Sequence, residues 1–418
     1  MKAMENRARG SAAQHQGAAM KKGWQTKTLA EVCQIKPPKS EARDKVSASS
    51  LVSFLPMEDM GIDVKSVQAT QTKPLSAVVG SYTYFADGDV LLAKITPCFE
   101  NGKLGIADGL KNGIGFGSSE YFVFRPDPTV SKEWLYYFLS RETFRLEGAA
   151  RMSGAVGHKR VSKEFIEEYP IPVPPLAEQQ RIVGLLDEAF EGLATAKANA
   201  EKNLQNARAL FESHLQSVFT QRGSGWVEKK VSEIAKHSLG KMLDKAKNKG
   251  EPQPYLRNIN VRWFTFDLSD LLQMPFLPTE VEKYTAIKGD VLICEGGYSG
   301  RAAIWDEDYP IYFQKALHRV RFHETELNKW FVYYLSVQDS SGQLKQHFSG
   351  TGIQHFTGEV LARFPIPVPP LPELRRAVAK FDALSEQTQH LALLYEQKLA
   401  ALEALKKSLL HQAFTGEL

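Results

Sequence analysis

Cysteine is scarce: Cys33, Cys98 and Cys294 are the only three in 418 residues, and none forms a CxxC pair. That usage fits a reducing compartment and argues against a structural zinc site. No apolar run approaches the roughly 20 residues that a membrane-spanning helix needs, so no membrane role is expected. Residues 1–22 are polar and basic with no apolar centre, unlike a secretory signal. They read as a disordered leader, with Met20-Lys21-Lys22 as a natural start, and the chain reads as cytoplasmic. The net charge is only +4, which excludes a uniformly basic clamp.

Catalytic signatures are missing too. There is no Asn/Asp-Pro-Pro-Tyr/Phe loop of the kind that holds a flipped adenine for methylation, and no GxxxxGK[ST] to cradle nucleotide phosphates. The ten histidines show no HxxxH pair with an acidic partner; His347 and His355, eight apart, are read as packing or contact residues. Gly113-Ile114-Gly115-Phe116-Gly117 has the wrong spacing for a dinucleotide fingerprint and reads as a turn. Asp306-Glu307-Asp308 reads as a solvated turn. No catalytic residue, no metal site and no cofactor is expected.

What is present is a duplication. Pro170-Ile171-Pro172-Val173-Pro174-Pro175-Leu176 recurs letter for letter as Pro365-Ile366-Pro367-Val368-Pro369-Pro370-Leu371, 195 residues later. At the same offset Glu178 matches Glu373, Arg181 matches Arg376, Asp187 matches Asp382, Phe219 matches Phe414 and Thr220 matches Thr415. Upstream the match is looser. Trp134 to Ser140 resembles Trp330 to Ser336, Gly88-Asp89-Val90 resembles Gly289-Asp290-Val291, and Trp24 resembles Trp226. The period is a half-protein, not a solenoid unit. Two diverged globules are each followed by a nearly unchanged connector.

Each connector reads as one long helix, Leu176–Thr220 and Leu371–Thr415, both 45 residues. Apolar residues recur at alternating three and four, the seam of a coiled coil. The first seam runs from Ile182 to Val218. The second takes in Val378, Phe381, Leu391, Tyr395, Leu402, Leu405 and Ala413. Such helices would be roughly 65–70 Å long, and antiparallel pairing of the two is expected. The proline run is expected to stop the preceding strand and enter the helix, with Pro175 and Pro370 at the first turn. The first globule shows strand patterns at Val52–Leu55, Tyr82–Phe85, Val90–Ile95 and Tyr121–Arg125, then helices at Lys132–Ser140 and Thr143–Ala150. The second repeats the order with Tyr255–Val261, Val291–Cys294, Ala302–Trp305, His318–Phe322 and a helix at Leu327–Val337. Both are α+β. Basic excess is local: +4 over residues 141–163 and +5 over residues 225–262, which suits a phosphate backbone over a limited footprint or a solvated charged face.

These residues resemble the specificity subunit of type I restriction-modification systems over residues 22–418. The resemblance is carried by the duplicated proline run with Glu178-Gln179-Gln180-Arg181-Ile182 behind it, by Lys94-Ile95-Thr96-Pro97-Cys98-Phe99-Glu100-Asn101-Gly102-Lys103, by Ser118-Ser119-Glu120, by Tyr255-Leu256-Arg257-Asn258-Ile259-Asn260-Val261, and by Ala413-Phe414-Thr415-Gly416-Glu417-Leu418. It implies an α+β chain with a pseudo-twofold internal repeat, in which two target-recognition domains, each a mixed sheet with helices, are separated by two long antiparallel coiled-coil helices. The expected boundaries are 1–22 leader, 23–168 first recognition domain, 169–222 central connector, 223–363 second recognition domain and 364–418 C-terminal connector. The resemblance also implies that each domain reads half of a bipartite site in double-stranded DNA. Two methyltransferase subunits would dock on the chain, and motor-nuclease subunits would join the full complex. Leu374-Arg375 replaces Gln179-Gln180 in the second copy, so a shared role for those glutamines is in doubt.

Base edges are read by paired donors or acceptors, Arg on guanine and Asn or Gln on adenine, whereas Lys, Arg and Ser hold phosphates. On that basis the first globule offers Lys94, Asn101, Lys103, Ser118, Ser119, Arg151, His158, Lys159 and Arg160. The second offers Arg257, Tyr298, Arg301, Gln314, Lys315, Gln354 and His355. Lys159 and Arg160 are expected to hold phosphates and Asn101 to read a base. Partner docking is expected at Glu178, Gln179, Arg181, Glu373, Arg376, Phe219 and Phe414. Two other classes fit less well. A self-contained enzyme would need the missing methyltransferase loop, and a DNA-independent coiled-coil scaffold would not need two diverged, basic, loop-rich globules.

Overall fold

The structure is a computed structural model that describes residues 21–418 except Val156, Lys245, Lys247 and residues 351–353. The leader read from the sequence lies outside the described residues except for Lys21 and Lys22. The chain divides into two compact units. The first runs to Asn199 and takes in Lys398–Leu418; the second is Ala200–Gln397. The division therefore cuts both connectors in mid-helix.

The first globule holds two sheets. One has the strand order Cys33–Ile35, Tyr121–Pro126, Val90–Ala93, Leu104–Ala107, Ser66–Val67; the other has Gln71–Pro74, Leu51–Leu55, Ile114–Gly117, Thr83–Ala86. Val90–Ala93 is buried on both faces. Val90 and Leu92 face Trp134 and its helix, while Leu91 and Ala93 face Phe85 in the second sheet, which is why the strand reads as a continuous apolar run. The second globule repeats the orders, the first sheet without its fifth strand, as Ala235–Leu239, Leu317–Phe322, Val291–Cys294, Ala302–Ile304 and Leu272–Phe276, Glu251–Leu256, Ile311–Phe313, Thr285–Ala286. In both globules the second sheet contains one parallel pair, Leu51–Leu55 with Ile114–Gly117 and Glu251–Leu256 with Ile311–Phe313.

The duplicated motifs are the joints of this frame. Gly88 and Gly289 take φ of 88° and 92°, a left-handed turn open to glycine at little cost. The next residue, Asp89 or Asp290, is buried. It caps the turn amide and takes a bidentate hydrogen bond from Arg125 at 2.8 and 2.8 Å, or from Arg321 at 2.7 and 2.6 Å. The proline runs do not stop a strand, as expected from the sequence; they are strands. Pro170–Val173 pairs antiparallel with Gln25–Thr28, and Pro365–Val368 with Val227–Lys230. Alternate spacing places the prolines where the ladder calls for no N–H. The indole of Trp134 donates to the Pro172 carbonyl at 3.0 Å, and that of Trp330 to Pro367 at 2.8 Å.

Two further expectations are corrected. Residues Ile114–Gly117 form a buried strand, not a turn. Its glycines are required by packing: a Cβ on Gly115 would stand 2.1 Å from the Phe85 ring, and one on Gly117 2.4 Å from the Leu55 carbonyl. The strand expected over Tyr255–Val261 ends at Leu256 and turns through Asn258–Asn260. The buried Asn260 side chain closes that turn, accepting from Arg257 N and donating to Asp267 O and Asp270 O.

The connectors are helices over Leu176–Thr220 and Leu371–Thr415. Among the described residues no helix is long and apolar enough to cross a membrane. Within the first unit, Lys197 pairs with Glu403 at 2.7 Å and Arg181 reaches the Leu418 carbonyl at 2.9 Å, so the two helices run antiparallel there. Within the second unit, Arg208 pairs with Glu396 at 2.7 Å and the Phe219 ring lies 6.0 Å from Phe381, again antiparallel. The second seam differs from its sequence pattern. Leu391 and Leu405 are exposed, and Ala392 and Lys406 turn inward instead. A straight helix drifts from a 3.5-residue seam.

Each globule sits on the start of its own connector and the end of the other. Phe414 packs on Trp134 with ring centroids 4.4 Å apart, and Phe219 on Trp330 at 4.5 Å. Asp187 accepts from Tyr137 and Lys65; Asp382 accepts from Tyr333 and Lys329. Asp63 and Phe264 occupy one further point of contact. Asp63 pairs with Lys406 at 3.0 Å, beside a cavity of about 290 Å³ lined in part by Tyr137, Phe190 and Leu402. Phe264 instead packs against Tyr333 at 5.3 Å and Phe211 at 6.2 Å.

Candidate nucleic-acid interface

The structure brings the first globule's candidate loops together. Residue 94 leaves the buried strand Val90–Ala93 and is pinned on both sides. Lys94 N donates to Glu120 O at 2.9 Å, and Lys94 O accepts from Val161 N at 3.0 Å. Thr96 N donates to Lys159 O at 3.0 Å, and Ser153 pairs with Arg160. The segments 94–103, 118–120 and 151–160 thus meet at one end of the five-stranded sheet. Lys94 is half-buried over the Phe122 ring at 5.6 Å, and burial lowers its pKa. Asn101, Ser119, His158, Lys159 and Arg160 are exposed. Arg160 makes a bidentate ion pair with Glu120, whose carboxyl is held below its usual range chiefly by those hydrogen bonds.

Two other candidates are committed to the fold. Lys103 donates to Met57 O at 2.7 Å. Ser118 caps its own turn by accepting from Glu120 N. Arg151 is exposed, with its guanidinium over Phe165 at 5.1 Å. Gly102 takes φ 78° beside Arg145, so its lack of a side chain serves the turn and that internal approach.

The second globule converges in the same way. Glu295 N donates to Ala316 O and Glu295 O accepts from Phe356 N. Ser299 donates to the Gln354 carbonyl at 2.7 Å, and Ser349 pairs with His355. Tyr298 is half-exposed under the Arg301 guanidinium at 3.8 Å, and Arg301 donates to Asn258 O. Lys315 and Gln354 are exposed, whereas Gln314 is partly covered. Arg257 is largely buried against Asp270 at 2.6 Å and serves the turn, not the surface. The sequence reading missed Glu120 and Asn258. Glu120 orients Arg160. The Asn258 amide donates to Gly296 O at 3.0 Å and joins two loops. No spacing in the sequence links either residue to its partner.

Among the candidate docking residues, Gln179 is fully buried. It accepts from Ser131 N and donates to Thr129 O and Pro174 O, clamping globule to helix. Leu374, also buried, takes its place in the second unit. Phe219 and Phe414 are spent on the tryptophans. These three hold their own units together. Glu178 bridges Arg181 and Lys21, and those hydrogen bonds lower its pKa to about 2. Glu373 accepts from the Trp226 indole at 2.9 Å. Arg376 is exposed.

Residues 21–204 and again 223–404 match the type I restriction modification DNA specificity domain. The chain is 35% identical over 216 residues to the type I restriction enzyme EcoAI specificity subunit of Escherichia coli; that alignment covers 51% of this chain and only 35% of the relative. A structure of the HsdS subunit from Thermoanaerobacter tengcongensis aligns over 97% of this chain and 100% of its own, with TM-score 0.67 and 19% identity. A chain from a structure of complex assembly and conformational transition of the type I R-M system aligns over 96% and 100%, with TM-score 0.77 and 20% identity. Those two likenesses establish the fold. With the family matched once in each half, on the same frame of strands and the same pair of connectors, this chain belongs to the type I restriction-modification specificity subunits.

Proposed function

We propose that each globule reads one half of a bipartite site in double-stranded DNA and that the connectors set the spacer between the halves and dock methyltransferase subunits. Motor-nuclease subunits would join the full complex, and this chain would contribute no chemical step. The observation that carries the reading is the convergence of three loops per unit, with Asn101, Lys159 and Arg160 exposed in one and Tyr298, Lys315 and Gln354 in the other. Loops rich in amides and cations on a rigid sheet suit base and phosphate contacts together. Divergent loops on a repeated frame suit two different half-sites.

The test is a domain exchange. Replacing residues 24–168 with the matching segment of a relative should change one half of the methylated motif and leave the other half and the spacer unchanged. Mapping methylated sites genome-wide reads the outcome. A change in both halves would refute independent reading, and an unchanged motif would refute DNA recognition by this globule.

A further inference from the structure

The backbone frame around the loops is the same in both units, so positions can be matched by hydrogen bonds alone. Lys94 N donates to Glu120 O and Lys94 O accepts from Val161 N; Glu295 N donates to Ala316 O and Glu295 O accepts from Phe356 N. Ser153 and Arg160 exchange both backbone hydrogen bonds at 3.1 and 2.8 Å, as do Ser349 and His355 at 3.0 and 2.9 Å. Glu120 is thereby equivalent to Ala316, and Arg160 to His355. Matched backbone with unlike side chains is what two readers of unlike half-sites require.

The chemistry at this position differs sharply. Arg160 Nε and Nη2 each donate to Glu120 at 2.9 Å, and Nη1 donates to His158 O at 3.1 Å. A guanidinium carries five N–H donors in a fixed fork. Glu120 takes Nε–H and one N–H of Nη2, and His158 O takes one N–H of Nη1, which leaves one N–H on each of Nη1 and Nη2. Two such donors on one guanidinium suit the O6 and N7 acceptors of guanine. Glu120 also locks the fork before DNA arrives, so less side-chain freedom is lost on binding. A pure phosphate contact would gain nothing from this neighbour, because the carboxylate cancels the cation and repels phosphate. In the second unit Ala316 has no carboxylate to give, and an imidazole offers single donors or acceptors and no fork.

We infer that Arg160 reads a guanine in the half-site of the first unit, with Glu120 as its positioning residue, and that His355 fills the equivalent reading position of the second unit. This revises the expectation of a phosphate contact at Arg160. It rests on the DNA-reading function proposed above and names the residue that would carry it.

The experiment gives the full chain, purified with whatever methyltransferase subunits it retains, a library of random DNA duplexes and counts the bound sequences. Wild type should select a two-part motif with a guanine at one position that Arg160→Gln relaxes by about 10- to 100-fold, leaving other positions and the salt slope unchanged. Arg160→Lys, which keeps the charge without the fork, should relax the same position. Glu120→Ala should relax it less, and Glu120→Asp should restore it. His355→Ala should act only on the other half. Uniform weakening with a shallower salt slope would make Arg160 a phosphate contact and overturn the inference, as would an unchanged motif. Failure of the wild type to select any sequence would overturn the DNA-reading function itself, a different result from either.

Discussion

At one matched point of the two units a residue other than glycine sits in the left-handed region: Asp63 with φ 58° and Phe264 with φ 67°. In the first unit the aspartate reaches Lys406 on the returning connector. In the second the phenylalanine reaches Phe211, which stands where Lys406 stands in the duplicated helix. An ion pair in one unit replaces a ring pair in the other, on the same backbone and over equivalent tyrosines, Tyr137 and Tyr333. The replacement teaches that the joint is specified by shape, and that either physics can fill it. It also predicts that the units respond differently to salt, pH and truncation.

The largest effect should fall where the units agree. Phe414→Ala should destabilise the first unit, and Phe219→Ala the second, each by about 3–5 kcal/mol, since each opens a cavity beside a buried tryptophan. Hydrogen exchange read separately around Trp134 and Trp330 measures this. If either variant loosened both units equally, the division of the chain into two units would be wrong.

A somewhat smaller effect should separate them. His318 is buried, donates from Nε2 to the Phe356 carbonyl at 3.0 Å, and leaves Nδ1 without a partner. Burial lowers its pKa to about 4, with His237 nearby adding to the shift. A lowered histidine pKa stabilises the folded state fully above the unfolded value near 6.5 and loses that contribution as pH falls toward 4. The second unit should therefore lose up to about 3 kcal/mol between pH 6.5 and 4. The first has Phe122 at the matching strand position, so His318→Phe should reduce the acid sensitivity, leaving the smaller part that His237 and His214, also lowered by burial, contribute. Unit-resolved melting across that pH range decides the matter, and equal acid loss in the variant would assign it elsewhere.

The smallest effect concerns the joint itself. Asp63→Asn should cost no more than about 1 kcal/mol, and 1 M salt should erase the difference from wild type, as for other exposed pairs. Phe264→Ala should cost about 1–2 kcal/mol at any salt, because half-buried ring contacts are not screened. Denaturant midpoints at low and high salt give both numbers. A salt-dependent Phe264→Ala would collapse the contrast.

The sequence announced these joints unevenly. Local patterns carried the elements well: Lys132–Ser140 and Val291–Cys294 fall where apolar periodicity put them, and the 45-residue helices follow from two uninterrupted seams. The repeat also marked which positions matter, since Trp134 and Trp330, or Asp89 and Asp290, do the same work twice. What the sequence hid is long-range. Glycines at 115 and 117 look like a turn until the Phe85 ring and the Leu55 carbonyl arrive across the sheets. Gln179 looks like a surface residue until Thr129 and Ser131 close on it. At the candidate interface, composition named the loops, but only the backbone pairing showed that Glu120 holds Arg160 while Lys103 and Arg257 are spent inside.

The sharing of connectors also sets an order in time. The second unit is one continuous stretch, Ala200–Gln397, whereas the first needs Lys398–Leu418 to finish. Leu410, Ala413 and Phe414 belong to the first unit's core alongside Trp134 and Phe138. As the ribosome releases the chain from its N-terminus, the globule made first waits with those rings uncovered, and the globule made second can close before it. Birth order and completion order are reversed, and the late-made residues 398–418 seal the part of the molecule that was begun first.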